Sequence, residues 1–263
     1  MTAPRLHVAT PLAGSASPLA LPAAAARHAQ VLRLQPGASL TLFDGLGGEW
    51  RAEVLAMGRK GVDVRLIEHR EVERETLVPV TIAVAMPSND RMDDLVEKVT
   101  ELGAVAIVPL LTDRSVLRLV GERAERRQAH WQQVAVASCE QCGRNRVPVV
   151  QAVQALSAWL AGLPARPGAA PSPEAALPVD LRLVLGWRDA QPWSAATSAP
   201  MRSLTLLSGP EGGLTEDEEA VARQHGFGSA WLGLRVLRAD TAPLAALAAL
   251  ALRSTNGAVP SRT

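Results

Sequence analysis

The chain has 263 residues, 48% of them hydrophobic, with 27 basic residues against 26 acidic ones and a formal net charge of +1. That is enough apolar material for one large core or two modest ones, and too little net charge for a global field that draws nucleic acid or an anionic membrane. No run approaches the roughly 18 apolar residues of a membrane span. Met1 to Leu21 lack the basic flank and continuous apolar core of a signal peptide, and Cys139 and Cys142 are too few for a disulfide framework. The expectation is a cytoplasmic protein with no membrane partner. Lys60 and Lys98 are the only lysines; the arginine bias suits phosphate or carboxylate recognition and equally suits a GC-rich genome.

In chain order, Ala38 to Phe43 reads as a strand, Asp44 to Gly48 as a turn, and Glu49 to Ala56 as the returning strand. Gly61 to Ile67 alternates again, with Val62, Val64 and Leu66 on one face. The charged stretch Glu68 to Glu75 then marks a boundary between a domain over 1–75 and one over 76–263. Beyond it the rhythm changes. Val80 to Ala85 is a buried strand, and Asn89 or Asp90 caps a helix whose Met92, Leu95, Val96, Val99 and Leu102 share a face. Val105 to Leu110, a helix over Glu122 to Glu140, and Val147 to Val150 follow. Gly162 to Pro178, rich in Pro, Ala and Gly, is a surface connection, after which strands are expected at Leu181 to Leu185 and Ser203 to Leu207. Thr215 and Glu218 have capping-box spacing, and Thr241 to Leu252 is an alanine-leucine helix expected to be buried nearly all round. Strands alternating with helices imply an α/β protein with a mostly parallel sheet.

Leu206 to Thr215 packs three glycines, a proline and one carboxylate between an apolar run and an acidic helix start. It has neither phosphate-loop nor dinucleotide-fingerprint spacing. Its glycines serve a tight turn, or they let bare amides and carbonyls reach a planar ligand. A second glycine-bearing turn, Leu232 to Arg238, follows closely. Cys139-Glu140-Gln141-Cys142 has redox spacing but lies at the end of a helix, where the dipole does not favour a thiolate. The five histidines show no metal spacing, so no metal is expected. Arg144-Asn145-Arg146, with Arg114 and Arg118, suit phosphates or a solvated surface; residues 1–75 hold nine Lys/Arg against eight Asp/Glu, which is no basic footprint.

Taken together and in order, several strings carry a specific resemblance. They include Pro4-Arg5, His28 with Val31-Leu32-Arg33, Leu42-Phe43-Asp44-Gly45, and Lys98 with Glu101-Leu102-Gly103. Pro109 with Arg114-Ser115, Glu140 to Pro148, Gly209 to Gly213 and Leu232 to Arg238 complete the set. The chain resembles the bacterial ribosomal RNA small subunit methyltransferase E family, uridine-N3 methyltransferases of the SPOUT superfamily. The resemblance implies a PUA-like β-barrel that binds RNA, followed by a SPOUT α/β domain with a trefoil knot. It also implies S-adenosylmethionine as cofactor, a homodimer, and one uridine of 16S rRNA within the 30S subunit as target. Two departures stand out: Ala239-Asp240-Thr241 replaces the usual Thr-Glu-Thr, and Pro243 occupies a position where a helix former is common.

The residues expected to bind the cofactor are Leu207, Ser208, Gly209, Pro210, Glu211, Gly212, Gly213, Leu232, Gly233, Val236, Leu237, Arg238 and Thr241. For the chemistry, Glu211 is expected to accept the N3 proton or else to pin its loop, with Arg144 and Arg238 as cationic stabilisers. Arg5, Arg33, Arg114 and Arg146 are expected RNA contacts. Competing readings are a SPOUT enzyme acting on another RNA, a non-catalytic RNA-binding protein, and a redox protein using the two cysteines.

Overall fold

The computed structural model describes residues 3–15, 17–59, 61–87, 91–164 and 178–254. It divides into two compact units, Met1–Glu75 with Val136–Val147, and Thr76–Ala135 with Pro148–Thr263. The expected cap at Asn89 or Asp90 and most of the 162–178 connection lie outside the described residues.

The first unit contains β1 (Arg5–His7), β2 (Leu19–Ala20), α1 (Ala23–Val31), β3 (Ser39–Phe43), β4 (Glu49–Met57) and β5 (Val62–Arg70). The strands form one sheet in the order β1-β3-β4-β5-β2, with β1 parallel to β3 and the other pairs antiparallel. Strands β4 and β5 alternate inward Val54, Val62 and Val64 with outward polar residues, as period-two patterning requires. Register shifts in their ladder at Arg51/Ala52 and Val54/Ala56 fit the bend of a curled half-barrel, whose edges are β1 and β2. Ala25, Ala26 and Ala29 of α1 join Leu6, Leu40 and Leu42 in its core. Sequence patterning gave no sign of β1, β2 or α1: the strands are two or three residues long, and the helix stripe is alanine.

The second unit contains β6 (Val80–Ala85), α2 (Arg91–Glu101), β7 (Ala104–Leu111) and most of α3 (Gly121–Cys142). Next come β8 (Val149–Val150), β9 (Gln154–Ala155), α4 (Leu156–Ala161), β10 (Val179–Leu185), β11 (Gln191–Pro192) and α5 (Trp193–Ala196). It finishes with β12 (Met201–Ser208), α6 (Glu216–Gln224), β13 (Gly228–Trp231) and α7 (Thr241–Ser254). The sheet is parallel throughout, in the order β11-β13-β10-β12-β6-β7-β8, with β9 also paired to β7. Five of the six residues of β6 are buried, the near-continuous apolar run of a strand covered on both faces. Helix α2 buries Met92, Leu95, Val96 and Val99, while Asp93 accepts a 2.9 Å bond from Trp131 Nε1 of α3.

Because every strand of this sheet runs the same way, the carboxyl ends of β10, β12 and β13 emerge on one side. Strand β12 lies between β10 and β6, so the chain reverses its direction of travel across the sheet there. Crevices at such reversals are where open parallel sheets bind ligands. Helix α7 departs from expectation. Pro243, Ala246, Leu247 and Leu250 form one buried stripe, but the opposite side is half-exposed and Leu252 is 72% exposed. An all-apolar composition conceals which side meets the sheet.

Candidate cofactor and substrate cleft

A cleft of about 910 Å³ opens at those carboxyl ends. Its walls are the segments after β10 (Val184 to Arg188), after β12 (Ser208 to Leu214) and after β13 (Trp231, Leu232 and Arg235 to Ala239). The two glycine-bearing turns singled out in the sequence therefore meet in one place. Ser208 Oγ fastens them together, donating to the Ala239 carbonyl at 3.2 Å.

The first turn closes on itself through Gly213 N–H donating to the Pro210 carbonyl at 2.8 Å. A Cβ on Gly209 meets Leu214 N at 2.9 Å and Gly213 C at 3.2 Å, backbone atoms that cannot swing aside. Gly213 adopts φ +68°, a conformation costly for any side chain. Beyond the turn, the capping box is formed: Glu218 N–H donates to Thr215 Oγ1 and Thr215 N–H to Glu218 Oε2. The four acidic residues starting α6 thus complement a helix N-terminus.

Arg114 Nη1 donates to the Gly212 carbonyl at 2.7 Å and lies 3.4 Å from the Leu214 carbonyl. This expected RNA contact instead clamps the glycine turn from the cleft wall. Glu211 lines the cleft and pairs with Arg91 Nη1 at 3.4 Å. Its bond is to a side chain, not to the loop amides that the pinning reading required. Arg238 is exposed and lines the cleft.

Of the expected cofactor residues, Ser208 to Gly213, Leu232, Val236, Leu237 and Arg238 line the cleft, and Leu207, Gly233 and Thr241 do not. Leu207 is fully buried among Ala83, Val108 and Val184 under the sheet. Thr241 is exposed, with its hydroxyl 3.3 Å from Asp240 Oδ1. Trp187, Trp231 and Arg91 line the cleft without having been singled out. No sequence motif marks them; only knowing that β10 ends beside β12 and β13 would have directed attention to Trp187.

The arginines of the first unit have a different employment. Arg144 sends Nε to Glu75 Oε1 at 3.0 Å and Nη2 to Glu75 Oε2, with only 4% of its side chain exposed. It belongs to the first unit and is not among the residues lining the cleft; the structure places this expected catalytic residue in a buried ion pair. Arg5 reaches Glu49 Oε2 at 2.6 Å and Asn145 Oδ1 at 2.6 Å, and stacks 4.9 Å over the Phe43 ring. Both of its terminal nitrogens are engaged inside the unit, and 15% of its side chain is exposed. Arg74 adds a 3.1 Å bond to Glu49. Burial opposes ionisation of Glu49, but Arg5 and Arg74 outweigh it and hold its carboxyl below the ordinary value. Arg146 pairs with Glu73 at 3.0 Å while 53% of its side chain stays exposed, and Arg33 is exposed after α1.

A family model described as an RNA methyltransferase domain matches residues 73–251, and one described as an RNA methyltransferase PUA domain matches residues 21–67. A ribosomal RNA small subunit methyltransferase E of Synechocystis is 35% identical over 225 residues, 83% of this chain and 67% of that protein. The chain belongs to the ribosomal RNA small subunit methyltransferase E family. A crystal structure of the Neisseria gonorrhoeae methyltransferase E bound to S-adenosyl methionine superposes with a TM-score of 0.83 at 32% identity, covering 95% of this chain and 97% of that one. A putative methyltransferase of Legionella pneumophila, solved with its bound cofactor SAM, gives 0.83 at 30% identity over 96% and 98%.

Cys139 is buried and Cys142 half-buried, both as free thiols. Burial pushes the Cys139 thiol up to about 12, so it holds its proton at neutral pH. Among the described residues, no three His, Cys, Asp or Glu are grouped to hold a metal, and no helix is long and apolar enough to cross a membrane.

Proposed function

We propose that this chain transfers a methyl group from S-adenosylmethionine to N3 of a uridine in the 16S rRNA of the small ribosomal subunit. The observation that carries the reading is the convergence of two peptide-walled turns on one cleft in a member of this family. The pocket fits the cofactor's nucleoside. Gly209 lets the turn close tightly, since a Cβ there would strike the Leu214 and Gly213 backbone, and Ser208 to Gly213 with Leu232 and Arg235 to Arg238 line the cleft with amides and carbonyls suited to a flat polar ring. Bound there, S-adenosylmethionine supplies a methyl carbon already activated by its sulfonium.

The chain's own residues then act on the uracil. Its N3–H is a weak acid between two carbonyls, so losing the proton makes the nitrogen nucleophilic. Glu211 accepts that proton, with Arg91 setting the position of its carboxylate. Arg238 lies on the same wall and offsets negative charge spreading onto the uracil oxygens. Arg114 acts through the loop, holding the Gly212 carbonyl in place. Alignment of the reacting atoms can supply roughly 7–11 kcal/mol in favourable systems.

The division into an RNA-binding region over 1–75 and a SPOUT catalytic domain over 76–263 belongs to the same proposal, and residues 136–147 fall in the first compact unit. A knot at the two turns, a homodimer and a cytoplasmic site of action complete it. Of the first-unit arginines expected to contact RNA, Arg33 and Arg146 are exposed. The test is mass mapping of 16S rRNA after incubating the protein and S-adenosylmethionine with 30S subunits from a strain lacking the modification. One added methyl on a uridine base is expected; a methyl on ribose or on another base overturns the uridine-N3 reading.

A further inference from the structure

Trp187 and Trp231 sit at the ends of adjacent strands. Leu185 of β10 pairs with Ala230 of β13, and Gly186 N–H donates to the Ala230 carbonyl at 3.0 Å; Trp231 directly follows Ala230 and Trp187 directly follows Gly186. The two indoles lie nearly parallel, 8° apart, with centroids separated by 5.8 Å. That is offset stacking. Both line the cleft, yet Trp187 remains 49% exposed. The chain has six tryptophans, two phenylalanines and no tyrosine, so placing two indoles on one cleft wall uses a quarter of its aromatic side chains.

Arg188, the residue after Trp187, pairs with Glu216 and Glu219 of α6, each at 3.2 Å. Asp189 then turns away at φ +50°. The stacked Trp231 ring restrains the Trp187 indole, and a restrained ring loses less freedom when something stacks on it.

We propose that Trp187, backed by Trp231, is a stacking platform for an unpaired base of the substrate RNA at the rim of the cofactor cleft. This rests on the methyltransferase reading above and names how that site takes its substrate. A ring half open to water suits a base carried on a long polymer better than the cofactor's adenine, since small-molecule sites bury some 70–90% of their ligand. The peptide-walled turns already provide a seat of that enclosed kind. An indole face offers no edge-reading donor, so it takes any flat base, and Arg235 on the same cleft wall supplies charge for the adjoining phosphate.

The test compares Trp187→Ala, Trp187→Leu and Trp187→Phe in the full chain, with thermal melts as the folding control. Calorimetry with S-adenosylhomocysteine reads the cofactor site, and methylation of unmodified 30S subunits reads KM and kcat. Fluorescence anisotropy of an end-labelled single-stranded uridine oligonucleotide reads base binding without turnover. Loss of one stacked base raises KM and the oligonucleotide Kd on the order of tenfold in Trp187→Ala and Trp187→Leu. Trp187→Phe restores most of the loss, and S-adenosylhomocysteine affinity stays within about twofold, because the cofactor seat is peptide. Unchanged KM and oligonucleotide affinity in Trp187→Leu overturn the proposal, because leucine keeps the apolar bulk and lacks the ring. A parallel fall in S-adenosylhomocysteine affinity also overturns it, assigning the indoles to the cofactor. Wild-type protein that does not bind S-adenosylhomocysteine overturns the methyltransferase reading itself, a distinct result.

Discussion

In the first unit, Arg5 and Arg144 are drawn in against Glu49 and Glu75, with Asn145 buried beside them. Around the cleft of the second unit, Arg91, Arg114, Arg235 and Arg238 are exposed, and those with partners hold a single carboxylate or a loop carbonyl. The same residue type thus does two jobs, and burial separates them. A guanidinium removed from water must spend its donors on fixed partners, whereas one at a cleft rim keeps donors for phosphate or for developing charge. Within the string 144–146, Arg144 and Asn145 do the first job, tying the residues after α3 to Glu75, Glu49 and Arg5.

The sharpest way to break this comparison is Arg144→Ala. It strands Glu75 without its bidentate partner, and loss of one member of a buried pair costs about 3–5 kcal/mol. Denaturant unfolding is expected to show that loss, with S-adenosylhomocysteine affinity of the folded fraction nearly unchanged. A stable variant that binds normally but turns over slowly restores Arg144 to the chemistry and erases the contrast.

Gly209→Val should do the reverse. Its Cβ collides with the Leu214 and Gly213 backbone, so the turn must shift. Cofactor affinity is expected to fall by at least about tenfold, roughly 1.4 kcal/mol, while the first unit keeps its stability. Calorimetry alongside a melting curve separates the two effects; unaltered affinity removes the glycine turn from the site.

The smallest effect is on pH dependence. The Glu49 carboxyl is held below its ordinary 4.5, so its contribution to stability is present above that value and is lost as pH falls through the lower folded-state value. His7 is lowered from 6.5, chiefly by burial, so protonating it also favours unfolding as pH falls below 6.5. Both signs agree: acid weakens the first unit. Glu49→Gln is expected to flatten the acidic limb of a stability-against-pH curve, and an unchanged limb removes Glu49 from the network.

Much of this was legible in the chain. The apolar run Val80 to Ala85, the stripe on α2 and the Thr215–Glu218 capping box follow from local rules, because strand burial, helix periodicity and a cap each depend on residues a few positions apart. The glycine turns were visible for the same reason: close backbone approach needs a missing side chain whatever surrounds it. Sequence alone determined these elements, the family strings and the suspicion of a peptide-walled pocket. Only tertiary structure decided that Arg144 and Arg5 are internal, that Arg114 holds a loop, that α7 leaves one side open, and that Trp187 meets Trp231. Each of those outcomes depends on partners distant in sequence, brought close by sheet register and by burial, and a local pattern carries no record of which charge will lose its water.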